Sequence, residues 1–140
     1  MKRLAIVLVA VLALAACGGG SHNSSETDQV KSAYETFFSS KTPLSERVAH
    51  LQDGSKFRPV IKSFATNPLA SNTSAKVISV TPQGENKAKV VYQVMISGGV
   101  VPPGKQTGFA VRENCTWKID DASLCRLLAL GGGLPTVCRA

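Results

Sequence analysis

No run of about 20 apolar residues, the length a helix needs to cross a bilayer's hydrocarbon core, occurs in these 140 residues. A permanent spanning segment is therefore not expected. Histidine is scarce, only His22 and His50, and no Cys-x-x-Cys pair accompanies them, so the spacing of a zinc site is missing and neither metal nor cofactor is expected. Acidic residues are few, nine against sixteen Lys and Arg. The basic residues come singly from Lys31 to Arg139 instead of clustering on one helix or stripe, which argues against a nucleic-acid partner. Ser123 lacks the Gly-x-Ser-x-Gly elbow of a nucleophile. Gly131-Gly132-Gly133 is not followed by the Gly-Lys-Ser/Thr of a phosphate loop, and no internal repeat is visible. The carboxylates fall at helix starts (Asp28, Asp120, Asp121), in turns (Asp53, Glu85, Glu113) or on polar faces (Glu35, Glu46), none on the inward face of a strand. His50 lies off the Leu44/Val48/Leu51 stripe with no obvious partner, and the Asp120-Asp121 pair reads as a helix cap. The chain is not expected to be an enzyme.

What is present begins at the N-terminus. Lys2 and Arg3 precede an unbroken apolar run from Leu4 to Ala16, the dimensions of an export signal rather than of a membrane span. Leu14-Ala15-Ala16-Cys17 follows, then Gly18-Gly19-Gly20-Ser21. This resembles the lipobox of bacterial lipoproteins. A thiol is the acceptor for a diacylglyceryl group, small side chains fit the peptidase that cuts before it, and glycines leave the acceptor accessible. Residues 1–16 are thus expected to be a cleaved signal and Cys17 the acylated N-terminus. Acyl chains are worth about 0.8 kcal/mol per buried CH₂, and two or three together hold a protein to a bilayer. The formal charge of +7 falls to +5 once Lys2 and Arg3 are removed, a mildly basic surface with weak affinity for anionic headgroups.

Residues 17–26 read as a flexible Gly/Ser/Asn tether and 27–130 as one folded domain. Asp28 is placed to cap a helix whose stripe is Val30, Ala33, Tyr34, Phe37 and Phe38. Thr42-Pro43 opens a second helix, carrying Leu44, Val48 and Leu51, and Gly54 is expected to stop it. Ser55 is expected to cap a third, with Phe57, Val60, Ile61 and Phe64, and with Pro59 in its first turn. From there the period is two: a strand over 76–81, a turn at 82–86, and a clear alternation over 87–97 with Ala88, Val90, Tyr92, Val94 and Ile96 on one face. Gly98–Gly104 contains Pro102-Pro103 and reads as a loop. A third strand over 106–112 would group Thr107, Phe109 and Val111, and a fourth would align Cys115, Trp117 and Ile119. A last helix, capped by Asp120 or Asp121, carries Leu124, Cys125, Leu127 and Leu128, and a Gly-rich tail covers 131–140. The order predicts an α+β fold: N-terminal helices on a curved antiparallel sheet of about four strands, with a short C-terminal helix.

The aromatic pair Phe37-Phe38, the meander and the ending Thr116-Trp117-Lys118-Ile119…Ala122-Ser123…Cys125…Leu127-Leu128 resemble a mycobacterial low-molecular-weight secreted antigen family. The resemblance covers roughly 27–130 and implies a cystatin-like or nuclear-transport-factor-two-like cone. The family has secreted and lipid-anchored members and carries no known reaction.

With Cys17 assigned to lipid, Cys115, Cys125 and Cys138 remain, an odd count for an oxidising compartment. Cys125–Cys138 is the favoured pair because it staples the tail to the last helix. Cys115 would then be a free core thiol beside Trp117. Pairing of Cys115 with Cys125 or with Cys138 stays open. The aromatic interior of Tyr34, Phe37, Phe38, Phe64, Tyr92, Phe109 and Trp117 is the candidate apolar pocket, and a filled core is the competing reading. The expectation is a monomeric, non-enzymatic lipoprotein on the outer side of the cell membrane, binding or presenting an envelope partner. The alternative is a small carrier for an apolar or lipid ligand.

Overall fold

The computed structural model describes residues 23–139. The expected signal (1–16), the expected acylation site Cys17 and most of the expected tether lie outside the described residues. Four helices and four strands follow one another as α1 (Asn23–Phe38), α2 (Leu44–Ala49), α3 (Gly54–Ala65), β1 (Thr73–Pro82), β2 (Lys87–Ile96), β3 (Gly99–Glu113), β4 (Thr116–Ile119) and α4 (Asp121–Leu130). The strands form one antiparallel meander in the order β1-β2-β3-β4, the α+β architecture expected from the switch of period.

The sheet curls into a half-barrel, and α1 fills its hollow. Val30, Ala33, Tyr34 and Phe37 are buried because residues three and four apart share one face of a helix. They meet Ala88, Val90, Tyr92 and Val94 of β2, also buried. Trp117, Ile119 and Leu124 complete this core, with Leu51, Phe57 and Ile61 contributed from the side of α2 and α3.

Helix α1 starts earlier than its sequence suggests, at Asn23 and inside the segment read as tether. Glu26 sits in its first turn, where the helix dipole favours a carboxylate, and Arg112 at the end of β3 holds it at 2.8 Å. The second correction concerns Gly54, which opens α3 instead of closing α2. The left-handed residue is Asp53 (φ 53°). Gly54 is needed there because a Cβ would collide with the Val48 carbonyl. A third concerns the Gly98–Gly104 segment, most of which belongs to β3. Gln93 pairs with Lys105 and Met95 with Val100, so Val101–Gly104 bulges out. β4 pairs only with residues 110–113, leaving this stretch on a free edge, where proline removes no ladder bond.

Candidate functional site

The interior proposed as a pocket is built from α1 and β2. The Tyr34 ring lies 4.9 Å from Tyr92 and 6.3 Å from Phe38, Phe38 stacks on Tyr92 at 5.6 Å, and Phe37 meets Phe38 edge-on at 5.0 Å. These separations are those of aromatic rings in direct contact. Tyr34 and Tyr92 are almost wholly buried, so the rings fill the space on one another.

Tyr34 reaches across this core to the sheet. Its hydroxyl donates to the Phe109 carbonyl at 2.8 Å, passing over Gly108, where an added Cβ would stand 2.5 Å from the phenol oxygen, 3.2 Å from Tyr92 Cε1 and 3.3 Å from Ser123 Cβ. The same stretch of β3 seats α4: the Phe109 amide donates to Ser123 Oγ (2.8 Å) and the Asp120 amide to the Phe109 carbonyl (3.0 Å). Asp120 Oδ1 then accepts from the Ser123 amide at 2.8 Å and from its hydroxyl at 3.2 Å. Of the two aspartates, Asp120 is the cap, and Ser123 is a structural donor and acceptor. Burial is the largest cause pushing both phenols up. Tyr34, also facing Tyr92 and Asp120, lies well above the ordinary tyrosine value, and Tyr92 is pushed up to about 12, Arg126 opposing the shift. Both are neutral near pH 7, Tyr34 as a hydrogen-bond donor to the Phe109 carbonyl and both as packing surface.

Three of the sequence-derived site residues lie elsewhere. Phe64 is 48% exposed, because the last turn of α3 overhangs the core. Phe109 faces outward. Ala110 and Gly108 pair with the inward Ala88 and Val90, whereas Phe109 pairs with Lys89, and paired residues share a face. Its ring lies 4.6 Å below the Lys87 ammonium and 5.7 Å from the Arg126 guanidinium, an arrangement in which cations meet the negative ring face. Cys115 is neither free nor in the core. It is exposed in the Asn114-Cys115 turn, where both residues have positive φ (49° and 65°). It is disulfide-bonded. Cys125 and Cys138 are joined to each other. Trp117 is buried as expected, in the same core as Tyr34, Phe37 and Tyr92.

Two open grooves exist among the described residues that line them. One, of about 610 Å³, runs past Glu26, Arg112, Glu85 and Asn86 at the end of the sheet. The other, of about 460 Å³, lies on the solvent face of α1 along Asp28, Lys31 and Glu35. None of the seven aromatic residues lines either groove. Glu26 is engaged by Arg112, Asp53 by Lys56 and Glu113 by Lys118, and Glu35 accepts from the Val77 amide at the β1 bulge. His50 Nδ1 is buried with no hydrogen-bond partner, and its carbonyl accepts from the Ile119 amide. Among the described residues no three His, Cys, Asp or Glu side chains gather as metal ligands would. Nor is any helix there long and apolar enough to cross a membrane.

Sequence reasoning overlooked Gly108 and Arg47. Gly108 sits in a strand otherwise rich in larger residues, a signal of close backbone approach. Arg47 is buried, its guanidinium donates to the Ser39 carbonyl, and burial lowers its pKa. No pattern in the sequence marks it.

Comparison with known proteins gives one family. No curated protein and no solved structure matches the chain. The model of the low molecular weight antigen MTB12 C-terminal domain matches residues 23–134, which begins where α1 begins and takes in every strand and α4. That match spans about four fifths of the chain, and the chain therefore belongs to the family of the low molecular weight antigen MTB12, through its C-terminal domain.

Proposed function

We propose that this chain is a lipid-anchored, non-enzymatic protein of the bacterial cell envelope, acylated on Cys17, whose domain binds or presents a partner on the outer side of the membrane. One observation carries the reading: a short basic start, an apolar run of signal length and Leu14-Ala15-Ala16-Cys17 in unbroken order. The non-enzymatic part is supported by the side chains that would have to do chemistry. The phenols are packed and neutral, Asp120 caps a helix, and Glu26, Asp53 and Glu113 are each paired with a cation. A carrier of apolar ligands would need the Tyr34, Phe38 and Tyr92 rings to part, because those rings occupy the space a ligand would take.

The test is the intact mass of the detergent-extracted, processed protein. The expected species begins at Cys17 and carries a diacylglyceryl group, and Cys17→Ser should abolish both the acylation and the cleavage before residue 17. One sulfur cannot hold a thioether and a disulfide together. An unacylated chain whose peptide map joins Cys17 to Cys115 would overturn the reading. Native mass spectra of the same material should show no stoichiometric lipid besides the covalent one; a bound apolar molecule would move the function to the carrier.

A further inference from the structure

The lysines that look scattered in the sequence are brought together by the register of the sheet. Lys76 pairs with Gln93 and Gln93 with Lys105, Thr81 with Lys89 and Lys89 with Phe109, Lys87 with Val111 and Val111 with Lys118. Paired residues share a face, so these five lysines stand on the convex side of the sheet, opposite the buried Ala88, Val90 and Tyr92. The four strands carry a single carboxylate, Glu113, which lies 3.6 Å from Lys118. Arg112 points the other way, to Glu26. Lys76, Lys87, Lys89 and Lys105 are exposed, and Val91 and Met95 run partly exposed between them. Helix α4 reaches this face at Phe109 through Arg126, a further cation, and the four lysines stay exposed.

We infer that the convex face of the sheet, Lys76, Lys87, Lys89 and Lys105 around Val91 and Met95, is a docking surface for an anionic phospholipid bilayer. Two observations select that occupant. The face is positive with almost no internal compensation, and neighbouring strands about 4.8 Å apart spread the ammonium groups over a broad sheet instead of a groove, which fits a planar field of headgroups. The second is where the chain leaves the domain. The Glu26–Arg112 pair fixes the start of α1 at the end of β3, beside Lys118 and Lys87 in the register. From Cys17 to Asn23 an extended chain spans no more than about 20 Å. An acylated Cys17 therefore holds the lysine-bearing end of the sheet close to the surface, where electrostatic attraction acts over about a Debye length, 8–10 Å. This clause rests on the anchoring proposed above, whereas the charge pattern does not.

Vesicle co-sedimentation of the mature chain, residues 17–140 carrying Cys17→Ser, separates the two, since that variant has neither the apolar signal nor an acyl anchor. Binding is expected to vesicles of phosphatidylcholine with a third phosphatidylglycerol, weak binding to phosphatidylcholine alone, and loss at high salt. Each lysine near an anionic surface contributes about fivefold, so Lys76→Gln/Lys89→Gln/Lys105→Gln should lower the partition coefficient about a hundredfold. Lys31→Gln/Lys41→Gln/Lys62→Gln, which removes the same charge from the helical side, should leave it within about twofold. Equal losses from the two triple variants, or equal binding to neutral and anionic vesicles, would overturn the inference. So would binding to soluble polyphosphate with none to vesicles, which would assign the face to an acidic polymer. Circular dichroism of both triple variants checks that they remain folded. Failure of acylation at Cys17 alone would leave vesicle binding by the lysine face intact.

Discussion

Gly108 shows how one residue without a side chain sets a site. Strand β3 must pass beneath the Tyr34 hydroxyl closely enough for the Phe109 carbonyl to accept it at 2.8 Å, and a methyl group at 108 would press on that oxygen at 2.5 Å. Overpacking of this kind costs about 1–3 kcal/mol, and here the hydrogen bond is endangered as well. Gly108→Ala is expected to lower the urea midpoint accordingly. In a Tyr34→Phe background, with the clashing oxygen gone, the same substitution should cost clearly less. Equal costs in the two backgrounds would show that the phenol is not what the glycine accommodates. The residue also explains a misread phase. Alternation around a bulky Phe109 suggests that Thr107, Phe109 and Val111 face the core, yet the pairing of Gly108 with Val90 and of Ala110 with Ala88 turns Phe109 out. Size argued for Phe109 inside; the space already taken by Tyr34 and Tyr92 admitted only a glycine.

At the scale of elements, α4 is held by its first turn and by its link to the tail. Asp120 accepts from the amide and the hydroxyl of Ser123, and Ser123 in turn takes the Phe109 amide, so the cap also fastens the helix to the edge that β4 leaves uncovered. Loss of a capping side chain costs about 1 kcal/mol. Asp120→Ala should therefore destabilise by about that amount or more in chemical denaturation. Asp121→Ala, which removes only a carboxylate from the first turn, should stay under about 0.5 kcal/mol; reversed costs would assign the cap to Asp121. Elements with a sustained period were legible from the order of residues alone: the Val30/Ala33/Tyr34/Phe37 stripe of α1, the Ala88/Val90/Tyr92/Val94 face of β2, and the capped α4. Those set by contacts between elements were not. The early start of α1 depends on Arg112, 86 residues away from Glu26, and the strand character of Gly99–Gly104 depends on where β4 ends. Cys115 falls into step with Trp117 only if the strand begins there, but Asn114 and Cys115 are both left-handed and β4 starts at Thr116. The five lysines of the convex face were invisible for the same reason, because neighbours across a sheet are distant along the chain.

For the molecule as a whole, the buried phenols tie stability to pH at the alkaline end. Burial, the larger cause for each, raises Tyr34 and brings Tyr92 to about 12 from an unfolded value of 10.0. A group that holds its proton more tightly when folded contributes stability that is complete below the unfolded value and is lost as pH rises through the folded one. Between about pH 10 and 12 the unfolded chain therefore releases these protons first, and unfolding becomes easier by about 1.4 kcal/mol per pH unit for each tyrosine. Ionising Tyr34 would also remove its only hydrogen-bond donor from the Phe109 carbonyl. Urea midpoints measured at intervals from about pH 8 to 11.5 should be level up to about pH 10 and then fall. Tyr92→Phe should be less steep over the same range, because it retains the ring packing on Tyr34 and Phe38 while deleting one titration. Tyr34→Phe should cost about 1 kcal/mol at neutral pH for the lost hydrogen bond and flatten the alkaline limb as well. A midpoint unchanged through pH 11.5 in the parent chain, or an undiminished slope in both variants, would mean that the hollow of the sheet admits water to these rings and is not filled by them.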